Sequence, residues 1–187
     1  MVIEVIEQHI EVANRLKELE EVIKRGGELV VETLTRGGKV LIFGNGGSAA
    51  DSQHIAAELV GRFKKERRGL PAIALTTDTS ILTAVGNDYS FEEIFARQVE
   101  ALGREGDLII AISTSGNSPN VIKGVKMGRK VGLKVITLTG KGGGRLGKMG
   151  DLNIIVPSDD TPRIQEMHIL IGHLLCQFVD QREWDEK

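Results

Sequence analysis

Apolar residues follow two rhythms along this chain. From Ile3 to Ile23 they recur at helical spacing, at Ile6, Ile10, Ala13, Leu16, Leu19 and Ile23. Gly26-Gly27 is expected to break that helix, with Glu28–Thr35 resuming as a second one. Beyond it, short β-branched runs alternate with helical patterns. The runs Lys39–Phe43, Ala72–Leu75, Asp107–Ile112, Lys134–Leu138 and Leu152–Val156 read as strands. Ala49–Phe63, Ile81–Val85 with Phe91–Leu102, and Pro119–Val131 read as helices between them, and Pro157 and Pro162 lead into a last helix, Arg163–Arg182. Runs that are apolar throughout indicate strands buried on both faces, and their alternation with helices predicts a parallel sheet covered on both sides. The expectation is one doubly wound α/β domain over residues 1–187. Residues 1–36 form an N-terminal helical extension that packs either between subunits or on its own sheet.

Composition narrows the function classes. The 187 residues suffice for a full core, and 41% hydrophobic with 27% charged residues is the balance of a soluble globular protein. A net charge of −2 is not that of a nucleic-acid binder. The basic run Arg62–Arg68 reads first as a solvated helix end with cations at its C-terminus, and second as cations facing an anionic substrate. The single Cys176 excludes an internal disulfide and fits a reducing cytoplasm. Acids inside MVIEVIEQHIEV argue against a secretory leader, and no apolar run approaches membrane-spanning length. Neither nucleic acid nor membrane is an expected partner.

The chemistry concentrates where strands end. Asp107–Ile112 runs into Ser113-Thr114-Ser115-Gly116-Asn117-Ser118, and Pro119 opens a helix. Hydroxyls, backbone N–H groups and a helix N-terminus together favour an anion, and the lack of a Walker lysine or GxGxxG points to a phosphate on a small molecule, with an ordinary N-cap as the alternative. The first strand ends in Gly44-Asn45-Gly46-Gly47-Ser48. Ligands of such sheets sit beyond the carboxyl ends of the strands, and a flavodoxin-like order would bring both loops to one crevice. In the helix after the first loop, His54 and Glu58 share a face at i,i+4, as a metal site, an acid/base pair or a plain surface pair. The last helix offers Gln165, His168 and His173. Gln165 and His173, eight apart, could meet at one ion only with strain, and His168 reads as structural or interfacial. Asn87-Asp88 is either a turn or a pair holding sugar hydroxyls, and Lys141–Arg145 reads as a plain glycine loop.

GNGGSAADSQHIAAEL, LTAVGND, AISTSGNSPNV and RIQEMHILIGH, in this order, resemble the sugar-isomerase (SIS) domain, and among SIS proteins the phosphoheptose isomerases. The resemblance covers nearly the whole chain. It implies a flavodoxin-like five-stranded parallel sheet and a homotetramer with sites shared between subunits. The activity implied is aldose–ketose isomerisation of sedoheptulose 7-phosphate to D-glycero-D-manno-heptose 7-phosphate, at the start of ADP-heptose synthesis. Carried over by position, it assigns substrate contacts to Asn45, Gly46, Gly47, Glu58, Asn87, Asp88, Ser113, Thr114, Ser115, Ser118 and Gln165. It assigns one zinc ion per subunit to His54, Glu58, Gln165 and His173, and the acid/base pair to Glu58 and His173, with the metal serving catalysis or structure. LPAIAL, ARQVEALG and RIQEMH resemble equally a non-catalytic SIS relative that binds the replication initiator. That relative lacks the carboxylate and histidine present here as Glu58 and His173, so the balance falls to the enzyme. Isomerisation of another sugar phosphate is the enzymatic alternative.

Overall fold

A computed structural model describes residues 1–184; residues 185–187 of the expected span lie outside it. Helix α1 (Val2–Leu16) and helix α2 (Glu20–Thr35) lead into strand β1 (Val40–Gly44) and helix α3 (Gly47–Val60). Strand β2 (Ala72–Ala74), helices α4 (Thr79–Asp88) and α5 (Ile94–Leu102), strand β3 (Leu108–Ser113) and helix α6 (Pro119–Val131) follow. Strands β4 (Lys134–Thr139) and β5 (Leu152–Ile155) and helix α7 (Thr161–Asp180) complete the order.

All strand pairs are parallel, in the order β2-β1-β3-β4-β5. The expected flavodoxin-like sheet is therefore present, with β1 and β3 adjacent at its centre. Successive side chains of a strand point to opposite faces, and the core divides accordingly. Val40, Ile42, Leu108, Ile110 and Ile112 pack with α1, α2, α3 and α7, while Leu41, Phe43, Ile109 and Ala111 pack with α5 and α6. Thus α3 and α7 share one face, which decides the geometry of the site. No helix among the described residues is long and apolar enough to cross a membrane.

Two expectations need correction. Gly26 and Gly27 do not end a helix; they lie buried inside α2, and the break falls earlier, at a single 3-10 turn over Lys17–Leu19. The glycines serve close packing: a Cβ at position 27 would collide with the Phe178 ring on α7, and one at position 26 would lie 3.1 Å from Leu175. Packing gain outweighs the helix propensity lost at glycine. The second correction concerns the basic run. Helix α3 ends at Val60 rather than Phe63, and Arg62–Arg68 lies in the loop beyond it. Within that run the Arg67 side chain is 2% exposed and paired with Asp180, so it is not part of a solvated helix end.

Candidate active site

The β1 loop is shaped by glycine. Gly46 precedes α3 with φ +58, a conformation that a side chain disfavours. A Cβ on Gly47 would lie 2.5 Å from the Gln165 amide nitrogen, so α7 lays Gln165 over the first turn of α3. Asn45 is tied to the helix that follows β3. Its amide donates to Asn120 Oδ1 at 2.9 Å, and Asn120 returns a bond to Asn45 Oδ1 at 2.8 Å. Asn120 is 2% exposed and its Oδ1 also accepts the Val121 N–H, so both polar atoms of its side chain are engaged. This reciprocal clasp ties the β1 loop to the first turn of α6.

The β3 loop is braced on its other side. Ser113 and Ser118 hydroxyls pair at 2.9 Å, and the Asn117 N–H donates to Ser115 Oγ at 3.2 Å. Ser113 is buried, whereas Thr114, Ser115 and Ser118 are half-buried. The Lys141–Arg145 glycines do more than turn the chain. The Leu146 N–H donates to the Gly116 carbonyl at 2.8 Å and the Arg145 N–H to Asn117 Oδ1 at 3.1 Å. A Cβ at Gly116 would collide with the Gly143 carbonyl. Backbone meets backbone here, and only glycine permits it.

Three further candidates converge on the seam between α3 and α7. His54 Nε2 lies 3.1 Å from Glu58 Oε1, and His173 Nε2 lies 3.3 Å from His54 Nε2. The approach of the helices depends on Gly172, where a Cβ would lie 2.6 Å from Ile55 Cδ1. Phe63, from the loop after α3, stacks on the His173 ring with centroids 5.3 Å apart and planes at 25°. One ligand atom from each of His54, Glu58 and His173 lies within 4.8 Å of the others. Two imidazoles and a carboxylate are zinc donors, and bonds of about 2.0–2.1 Å in a tetrahedral shell put neighbouring ligands about 3.3 Å apart. The His54–Glu58 and His54–His173 separations suit such an ion, and three protein ligands leave a position for another group.

Other candidates lie elsewhere. Asn87 and Asp88 close α4, exposed, with the Asn87 amide donating to Asp88 Oδ1 at 2.9 Å. Asp88 is not part of the converging group. His168 is buried without exposure, its Nε2 3.2 Å from the Thr139 carbonyl, and burial lowers it to about 4 against that bond. It is a neutral core residue. Burial pushes the Cys176 thiol up to about 12 and leaves it protonated.

Sequence reasoning missed Asp51, one turn before His54. One of its carboxylate oxygens is buried without a partner, and burial pushes it up to about 6 against the pull of His54. Its i,i+3 spacing to His54 was the available signal. Asn120 was missed as well, for its role depends on a partner far away in the chain.

Comparison with known proteins adds to this geometry. Residues 6–140 match the SIS domain family. A phosphoheptose isomerase of Aliarcobacter butzleri is 58% identical over 169 residues, covering 90% of this chain and 89% of that protein. The structure of phosphoheptose isomerase GmhA from Neisseria gonorrhoeae superposes with a TM-score of 0.90 at 45% identity, over 97% of both chains. That of a phosphoheptose isomerase from Francisella tularensis superposes with a TM-score of 0.94 at 42% identity, again over 97% of each.

Proposed function

The chain belongs to the phosphoheptose isomerases of the SIS domain family, aldose–ketose isomerases of sugar phosphates, and we propose that it converts sedoheptulose 7-phosphate to D-glycero-D-manno-heptose 7-phosphate. This reaction opens ADP-heptose synthesis for surface glycans, and we place it in the cytoplasm. The observation that carries the catalytic part is the meeting of Glu58 and His173 across the α3–α7 seam with His54 between them.

In such an isomerisation the ketose loses a proton from C1, an enediol forms across C1 and C2, and a proton returns at C2. Glu58 and His173 carry these transfers between them, one accepting while the other donates. Ser113, Thr114, Ser115 and Ser118, backed by the N-terminus of α6, hold the phosphate. Asn45, Gly46, Gly47, Asn87, Asp88 and Gln165 line the sugar. Phosphate binding far from the reacting carbons orients them and lowers the barrier.

His54, Glu58 and His173, with Gln165 from the same helix as His173, would hold one zinc ion per subunit. Such an ion, when bound, stabilises negative charge on the substrate oxygens.

We read residues 1–187 as one SIS domain that works as a homotetramer with sites shared between subunits. Two features support this. Val2, Ile3, Ile6 and Ile10 of α1 are each more than half exposed. Beside them an apolar groove of about 460 Å³ runs between α1, α2 and α7, floored by Leu16, Ile23, Leu170, Leu174 and Phe178. Contiguous apolar surface of this kind marks an interface.

The test is turnover by the purified chain of sedoheptulose 7-phosphate beside pentulose 5-phosphate and hexulose 6-phosphate. Preference for the heptulose is expected; preference for a shorter sugar reassigns the substrate.

A further inference from the structure

We propose that the loop Gly61–Leu70, clasped by Arg67 and Asp180, is the positioning element that holds Glu58 and His173 in register for proton transfer. This rests on the assignment of those two residues made above.

The last turn of a helix leaves carbonyls without helical partners. At the end of α3 one guanidinium takes them up. Arg67 Nη2 donates to the Glu58 carbonyl at 2.8 Å, and Nη1 donates to the carbonyls of Leu59 at 2.9 Å and Gly61 at 3.3 Å. Arg67 Nε donates to Asp180 Oδ1 at 3.2 Å, and Asp180 Oδ2 accepts the N–H groups of Lys64 at 2.8 Å and Lys65 at 3.0 Å. The two charged side chains are 2% and 8% exposed. One buried ion pair therefore joins the final turn of α3, the loop after it and the end of α7.

Between these ties the loop presents Phe63. Its ring lies stacked on the His173 imidazole, while the edge of His54 meets the same imidazole with centroids 4.9 Å apart and planes at 75°. His173 is thus held between an aromatic face and a second imidazole. Asp180 sits seven residues beyond His173 on α7, two turns along, close to the same face. The guanidinium that grips Glu58 at its backbone is thereby anchored to the helix that carries His173. A buried ion pair contributes little net stability, because desolvation offsets its attraction. Here it fixes the spacing of two helices at the point where their functional side chains meet.

The test measures kcat and KM separately for Arg67→Lys and Phe63→Leu in the full chain, with Glu58→Gln as reference. Lysine keeps the charge opposite Asp180 but lacks the fork that reaches four carbonyls, that of Arg68 included. Misplacement of reacting groups by about 1 Å costs up to about 100-fold in rate. Arg67→Lys is expected to lower kcat about 10- to 100-fold and Phe63→Leu about 10-fold, each with KM within about twofold, since the phosphate loop stands on other elements. Zn²⁺ affinity, read by competition with a chromophoric chelator, is expected to fall about 10-fold in both. Unchanged kcat and Zn²⁺ affinity in the folded variants, beside an inactive Glu58→Gln, overturns the positioning role alone. A raised KM with unchanged kcat also overturns it, making the loop a substrate contact. An active Glu58→Gln removes the underlying assignment and this inference with it. Should Arg67→Lys fail to fold, Phe63→Leu decides.

Discussion

Glu58 and His173 are separated by more than half of the chain and meet through His54. Glutamine at position 58 keeps the shape and removes the ionisable group proposed for proton transfer. Glu58→Gln is expected to lower kcat about 10²- to 10⁴-fold with an unchanged circular dichroism spectrum, as removal of a general acid or base does. Near-normal turnover would dismiss the pair. His168 makes a prediction of a different kind. Its ordinary value of 6.5 is lowered to about 4 by burial. The folded state thus refuses a proton that the unfolded chain accepts, so its stabilising contribution is complete above pH 6.5 and is lost as pH falls toward 4. The loss approaches an upper bound of about 3 kcal/mol. Denaturation midpoints for wild type and His168→Gln should converge over this window, and parallel profiles would refute the sign. At this scale the sequence was partly legible. The i,i+4 pair His54 and Glu58 declared itself by spacing, whereas Arg67 was misread because its partners, Asp180 and the end of α3, are set by tertiary structure.

Between elements, glycine sets the distances. A methyl group on Gly172 would press against Ile55. Gly172→Ala is expected to cost about 1–3 kcal/mol by overpacking, seen as a lower thermal midpoint. It should lower kcat as well, since α3 and α7 carry the two halves of the site. A variant equal to wild type in both would show that the seam tolerates widening. The Asn45–Asn120 clasp acts between loops instead. Asn120→Ala removes the two hydrogen bonds of the clasp and the one from the Val121 N–H, about 1 kcal/mol each, and a KM raised roughly 10-fold is expected, with kcat less affected; an unchanged KM would detach the clasp from binding. Strand positions were readable to within a residue or two because apolar runs bounded by turn residues have few alternatives. Gly26-Gly27 misled because glycine signals both a break and a close approach, and only the presence of Phe178 opposite distinguishes them.

For the whole molecule, the parallel sheet followed from alternation, while its flavodoxin-like strand order was what the family resemblance implied. Which surfaces meet another subunit did not follow, since exposed apolar positions on α1 read equally well as a cover for their own sheet. The structure leaves those positions exposed beside an apolar groove. Sedimentation of Ile10→Glu is expected to show species smaller than the tetramer proposed for the wild type, while an unchanged assembly would place the interface elsewhere. The central claim concerns the reaction itself, and proton NMR of sedoheptulose 7-phosphate incubated with the purified chain in D₂O tests it most directly. Proton transfer through an enediol by exchangeable side chains predicts D-glycero-D-manno-heptose 7-phosphate with deuterium at C2. No conversion, or an aldose formed without deuterium, would contradict it.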